Sequence, residues 1–388
     1  MILREEYGIS YTHLGTLVLI NFCTQLAVDL LLTLFSKRFN TKLAVRLMPI
    51  ITSVGLLVYA LVPSLFPSFA YLGLALGTVI FSVSAGLSEV LLSPIIAAIP
   101  SDNPQRDMSF LHSLYAFGVV TMVLLSTAFL SIFGKDSWAY LIMLLAALPL
   151  IAAVLFALSP MPDMSSSVAE GGTRAPKKQV LGLLLSVLCI FFGSCAENAM
   201  SNWISGYMES ALGIDKSFGD VFGVAMFAAL LGIARITYSR LGRRIEGVLL
   251  VGMIGAAVCY LVAALASISA IAFAACILTG LFTAMLWPGA LIFMEENVHG
   301  AGVGAFALMA AGGDFGASVA PQLLGAIADS VSISSFGTSL ASSLGIGAEQ
   351  LGLKVGMLVC AVFPILGAVT VAVTVRYFRK ERAENINI

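Results

Sequence analysis

Apolar runs of about 20–30 residues follow one another along this chain, and they leave it few ways to fold. At about 1.5 Å of rise per residue, a helix of that length crosses a hydrocarbon core about 30 Å thick. Eleven such runs can be read, at roughly 14–35, 43–63, 69–99, 108–133, 137–159, 179–205, 217–239, 247–268, 269–294, 303–328 and 352–376. The sequence therefore predicts an all-α membrane protein. Charged residues make up 11% of the chain and hydrophobic ones 59%. Soluble domains carry about 25% charge, so no water-soluble fold could hide this much apolar surface. The net charge of −1 says nothing about nucleic acid, because the few charges lie mostly between the spans.

The loops set the orientation. Fifteen Lys and Arg residues fall on one side, among them Lys37, Arg38, Arg106, Lys177, Arg240, Arg243, Arg244 and Arg379. Arg4, Lys135, Lys216 and Lys354 fall on the other. Such an excess marks the cytoplasmic side. The C-terminus is then expected inside and residue 1 outside. The polar stretch 161–179, MPDMSSSVAEGGTRAPKKQ, reads as a cytoplasmic linker between an N-terminal bundle (1–160, five spans) and a C-terminal bundle (180–388, six spans). The opening MILREEYG is too charged for a signal peptide. The six cysteines lie in apolar runs without metal-like spacing and are expected to be packing residues. The absence of an N-x-S/T sequon fits a bacterial inner membrane.

The two bundles echo each other. GLSEVLLSPI at 86–95 matches GLFTAMLWPG at 280–289, with Gly86 over Gly280 and Pro94 over Pro288. SKRFNTK at 36–42 matches SRLGRRI at 239–245. The second half has a full span ahead of that point and the first half has none. The chain thus reads as a twelve-helix plan without its first helix. A shortened reading frame and a genuine eleven-helix variant give the same pattern.

Two six-helix repeats, a cytoplasmic linker and a basic turn after the second helix of each half resemble the major facilitator superfamily. SRLGRR at 239–244 keeps the Arg-x-Gly-Arg-Arg part of that superfamily's turn, with Ser239 where Asp is expected; KRFNTK at 37–42 is more degenerate. A looser likeness points to the fucose–proton symporter branch. It rests on Glu89, the Leu111-His112 pair, Glu197 followed by Trp203 in SCAENAMSNWISGY, and GGDFGASVAPQL at 312–323. The resemblance implies two pseudo-symmetric bundles that bind a small solute near mid-bilayer and alternate access. It implies a proton as the coupling ion, or sodium as in some animal relatives. The acidic residue that the family carries on its first helix has no counterpart here.

An acid near the bilayer centre costs roughly 3 kcal/mol, so such residues face a cavity or a partner. Glu89 shares a helix face with Ser82, Gly86 and Ser93. It is the candidate proton carrier, and the competing reading is a permanently protonated acid bonded to a neighbouring carbonyl. Asp314 lies at similar depth. His112 is a candidate relay or a helix-end partner. Glu197, Asn198, Asn202 and Trp287 are candidate solute contacts, or else glue between helices. Trp203 is either a stacking platform or an interfacial anchor.

Asn21, Gln25 and Asp29 form one stripe at i, i+4 and i+8. Asp29, Arg38, Arg235, Arg240, Arg243 and Arg244 are expected in gating or structural roles, with Asp29 pairing Arg38 or Arg46. No nucleophile motif, metal box or phosphate-binding loop is present, so neither an enzyme nor an ATP-driven pump is expected, and no cofactor or metal. The expected partners are a small-molecule substrate and the lipid bilayer, with no nucleic acid, and the chain is expected to be a monomer. The expectation is a secondary transporter of a small polar solute, a sugar first, by proton symport. An exporter of amphipathic drugs and a non-transporting scaffold or sensor are the alternatives.

Overall fold

The computed structural model describes residues 2–35, 40–100, 104–161, 177–241, 244–298 and 303–386. Of the side chains in those ranges, those at 33–35, 93–94, 96–98, 104–113, 115–117, 177–178, 239–241, 295, 303–304, 306–307 and 384–386 lie outside the description. The chain divides into two compact units, Met1–Glu170 and Gly171–Ile388. Nearly all of 161–179 falls outside the described residues.

The first unit holds α1 (Ile2–Tyr7), α2 (Tyr11–Phe35), α3 (Thr41–Leu65), α4 (Ala70–Ala98), α5 (Pro104–Phe133), α6 (Trp138–Leu145) and α7 (Ala147–Leu158). Asn40 caps α3, its Oδ1 accepting from the Leu43 N–H at 3.1 Å. This satisfies one of the donors that every helix start leaves open. α4 is the centre of the unit and packs on both α2 and α3. One apolar cluster joins Val28, Leu32, Val45, Met48, Leu87 and Leu91. At the other end α1 closes the bundle: Trp138 Nε1 donates to Glu6 Oε2 at 2.5 Å, and Tyr7 meets the same indole edge-on.

The second unit holds α8 (Lys177–Ser210), α9 (Lys216–Gly219), α10 (Met226–Leu241), α11 (Ile245–Leu265), α12 (Ser269–Thr283), α13 (Leu286–Asn297), α14 (Val303–Ile333), α15 (Ser335–Leu344), α16 (Ala348–Cys360) and α17 (Val362–Ile386). A π-helical turn, Asp220–Ala225, links α9 to α10. α8 is the central helix and packs on α12, α13, α14, α16 and α17. Five of the six cysteines are buried, Cys23 is exposed, and none is in a disulfide.

Among the described residues nine helices or joined helix pairs are long and apolar enough to cross a membrane. A tenth is α14 with α15, bent by 80°, and Gly118–Phe133 adds a shorter apolar helix. Their outward faces are hydrocarbon-like: Ile151, Val154, Leu155 and Leu158 on α7 are all more than half exposed. Three runs expected as single helices are broken. The breaks fall at Ala146, at Ala284–Met285 and at Ala361, each three or four residues before a proline: Pro149, Pro288 and Pro364. Proline lacks the N–H that would bond the carbonyl four residues back, and its ring crowds that carbonyl. The equivalent α4 of the first unit runs through Pro94 unbroken.

Candidate functional site

The polar stripes of α2 and α4 meet face to face. Ser82 Oγ donates to Asn21 Oδ1 at 2.7 Å. Four residues on, Gly86 lies against α2; a Cβ there would stand 3.0 Å from Val28 Cβ and 3.2 Å from Gln25 Cα. The missing side chain lets the helices close. One further turn along, Asp29 and Glu89 bring carboxylate oxygens within 4.8 Å of each other. Asp29 is buried, with 7% of its surface exposed, and Glu89 is exposed. The sequence placed these residues on two separate faces; the register of two parallel helices makes them a pair. Asp29 thereby faces the candidate proton carrier as well as holding a place in the bundle. Two full negative charges at that distance repel by roughly 3 kcal/mol at an effective dielectric constant of about 20. A proton or a cation held by the pair removes that repulsion.

In the second unit, Glu197 on α8 meets Arg235 on α10, with Nη2 and Oε1 3.5 Å apart. Both side chains are largely buried. The Arg235 Nε–H donates to the carbonyl of Ala284 at 2.9 Å. Ala284 sits at the break between α12 and α13, and its carbonyl is the one Pro288 cannot bond. Three elements thus converge on one guanidinium. Glu197 Oε2 is buried and has no hydrogen-bond partner among the described residues.

Trp287, one residue before that proline, lays its ring on α14 at Gly313, where a Cβ would fall inside the ring's van der Waals surface. Asp314 follows directly and is buried. Asn198 Nδ2 donates back to the Ser194 carbonyl at 3.1 Å and to Ser194 Oγ at 3.2 Å, and Asn202 Nδ2 donates to the Asn198 carbonyl at 2.9 Å. Part of each amide is therefore spent on its own helix. Trp203 is 4% exposed and its Nε1 donates to the Pro321 carbonyl at 3.0 Å. It is a buried tie between α8 and α14, neither an interfacial anchor nor an open stacking surface.

His112 lies on α5 with its side chain outside the described residues, as does the side chain of Arg240. Arg38 and Arg243 fall outside them entirely. Arg244 is exposed at the start of α11. Beside it, Glu246 takes ion pairs from Arg379 at 2.8 Å and Arg382 at 3.4 Å, and Arg382 also donates to Asn297 Oδ1 at 2.6 Å. The start of α11 and the end of α13 thus adjoin the end of α17. At the opposite end Lys216 pairs with Asp220 at 3.3 Å, and both bond Ser205. Neither cluster stood out in the sequence, because its members are far apart in the chain or belong to unremarked loops.

The chain's likeness to known proteins agrees with this architecture. Its structure is similar to that of a bacterial homolog of the human lysosomal transporter Spinster in an inward-facing, occupied conformation (16% identity, 97% of this chain and 92% of that one, TM-score 0.72). It is similar to a D-xylose–proton symporter (15%, 94% and 91%, 0.72) and to the nucleoside transporter NupG (14%, 96% and 93%, 0.67). At such identities the likeness establishes the fold. No curated protein matches the chain in sequence. The sequence model of the Major Facilitator Superfamily matches residues 1–321, most of the apolar spans described above, and the chain belongs to that superfamily of membrane transporters.

Proposed function

We propose that this multi-pass membrane transporter moves a small polar solute, a sugar first among them, in symport with protons. The observation that carries the reading is the Asp29–Glu89 pair. Its oxygens lie within 4.8 Å on facing apolar helices, one group buried and the other exposed. A carboxylate pair in that setting holds a proton readily and, once the exposed member meets water, releases it. The polar groups of the second unit, Glu197, Arg235, Asn198, Asn202 and Trp287, supply hydrogen bonds and an aromatic face suited to a hydroxylated solute. The coupling ion is a proton; sodium on the same carboxylates is the competing outcome.

The test is uptake of radiolabelled L-fucose, D-xylose and uridine into proteoliposomes holding the full chain, with and without an inward proton gradient. Accumulation is expected to need the gradient, to collapse with a protonophore, and to fall at least about tenfold in Glu89→Gln and in Asp29→Asn, as the loss of a proton site that drives the cycle requires. Uptake that ignores the gradient, together with a normal Glu89→Gln, sinks the proton mechanism; uptake that follows sodium instead assigns the pair to that ion.

A further inference from the structure

The sequence places Arg235 among the gating or structural charges, one helical turn before the basic turn. Its Nε–H is fixed on the Ala284 carbonyl, about 15 Å along the span from Met294. An arginine in a span is costly unless it is held by a partner. Here the partner is the Ala284 carbonyl, which Pro288 leaves without its helical N–H donor. Irregular backbone at membrane depth is tolerated where it is buried in protein or lines a cavity, and broken helices are where carriers place solute groups.

The hydrogen-bond inventory at this junction does not close. A guanidinium has five N–H donors. One goes to Ala284, and Nη2 lies 3.5 Å from Glu197 Oε1, which is an ion pair at long hydrogen-bond distance. No further hydrogen bond of Arg235 is seen among the described residues, its side chain being about 30% exposed, and nothing donates to the buried Glu197 Oε2. Donors on Arg235 and an acceptor on Glu197 are left unspent side by side, with about 30% of the arginine side chain still open. A buried acceptor such as Glu197 Oε2 is ordinarily satisfied by water or a ligand.

We propose that Arg235 and Glu197 together form a binding site for a neutral polyhydroxylated solute, with Arg235 as a specificity-determining residue. The chemistry selects the class. A hydroxyl both accepts and donates, so one hydroxyl, or two on neighbouring carbons, takes a hydrogen bond from the guanidinium and gives one to Oε2. A carboxylate or phosphate offers acceptors only and brings a second negative charge beside Glu197. An ammonium offers donors only and brings a second positive charge beside Arg235. The ion pair is neutral as a whole, and either charged solute would separate it. The tether to Ala284 fixes the plane of the guanidinium, so specificity does not depend on a mobile side chain. This inference rests on the transport reading above and narrows its substrate class.

The test uses the purified full chain in detergent and measures thermal unfolding against rising D-xylose, L-fucose and uridine, and against D-glucuronate and D-glucosamine as charged analogues. Wild type is expected to be stabilised by at least one neutral probe and by neither charged one. Arg235→Gln leaves a buried carboxylate alone and is at risk of misfolding, so the deciding variant is Glu197→Gln/Arg235→Gln, which removes both charges together. It is expected to fold and to bind the neutral probe at least about tenfold more weakly, the loss that follows from removing a hydrogen bond to a charged group. Arg235→Lys keeps the charge but not the fork, and is expected to be intermediate. If the double variant binds the neutral probe as wild type does, the unspent groups hold only water; the inference then falls and the transport reading stands. Equal stabilisation by glucuronate or glucosamine overturns the neutral class. Should wild type bind none of the neutral probes, the inference and the sugar reading fall together, while proton-driven transport is judged by the uptake assay.

Discussion

Gly77 has no room for a methyl group. A Cβ there would lie 2.6 Å from both the backbone nitrogen and Cβ of Tyr59, so α3 and α4 touch through it, backbone to backbone. Small residues let membrane helices approach this closely, and dispersion then replaces the hydrophobic drive that lipid cannot supply. Gly77→Ala is expected to cost about 1–3 kcal/mol, as overpacking does, read as a lower midpoint of thermal unfolding in detergent. Gly118→Ala is the control. Nothing lies within 4 Å of its added Cβ, and alanine favours a helix over glycine by about 1 kcal/mol, so no loss is expected. An equal loss at both sites would refute close packing as the reason for Gly77.

At this scale the sequence announced individual anomalies but not their partners. Glu89 stood out because an acid is conspicuous in an apolar run. Its pairing with Asp29 did not, because helical spacing names neighbours on one helix and is silent about the next. The same limit hid the Trp203 bond to Pro321 and the seat of Trp287 on Gly313.

The helices themselves were legible as lengths of apolar sequence, and their interruptions were written in the prolines at 149, 288 and 364. Reading each run as one straight span missed this, since Pro49, Pro63 and Pro321 sit inside helices that continue. What differs at Pro288 is tertiary: Arg235 is there to bond the freed carbonyl. α15 was the least legible element, because 330–350 is rich in Ser and Gly and carries little charge, and it reads as a loop. The helix that forms is amphipathic. Phe336, Leu340 and Leu344 share a stripe, preceded by Ile333 at the end of α14, while Thr338, Ser339 and Ser342 lie off it. Ile333 is 82% exposed and Phe336 76%, directly after a spanning helix and an 80° bend. Such a helix is expected to lie in the bilayer interface with its apolar stripe in lipid. In a Cys23→Ala background, a fluorophore at Phe336→Cys should be quenched by brominated lipids in proteoliposomes, and one at Ser339→Cys by aqueous iodide. The reverse pattern, or iodide quenching at both, would place α15 in water.

For the whole molecule, the two units bring different chemistry to one sequence repeat. Glu89 has Thr283 as its counterpart, which cannot ionise, and the break that frees the Ala284 carbonyl has no counterpart in α4. Under the proposed function this amounts to a division of labour: protons on the first unit, solute on the second. If the two are coupled, the coupling is reciprocal. Should protonation raise solute affinity by some factor, solute binding must raise proton affinity by the same factor, commonly about 5–150-fold in linked systems. Adding the solute that binds best to weakly buffered wild-type protein is therefore expected to draw protons from solution, seen with a pH indicator. On the proposed mechanism Glu89→Gln lacks the titrating site, so it should bind the solute without proton uptake. Its affinity should be the same across pH and close to that of protonated wild type. In proteoliposomes the same variant should still exchange labelled for unlabelled solute, because exchange needs the carrier to turn over only in its loaded form. It should not accumulate solute against a gradient. Proton uptake undiminished in Glu89→Gln would move the proton site elsewhere, and loss of exchange along with accumulation would show that the residue serves the conformational change itself.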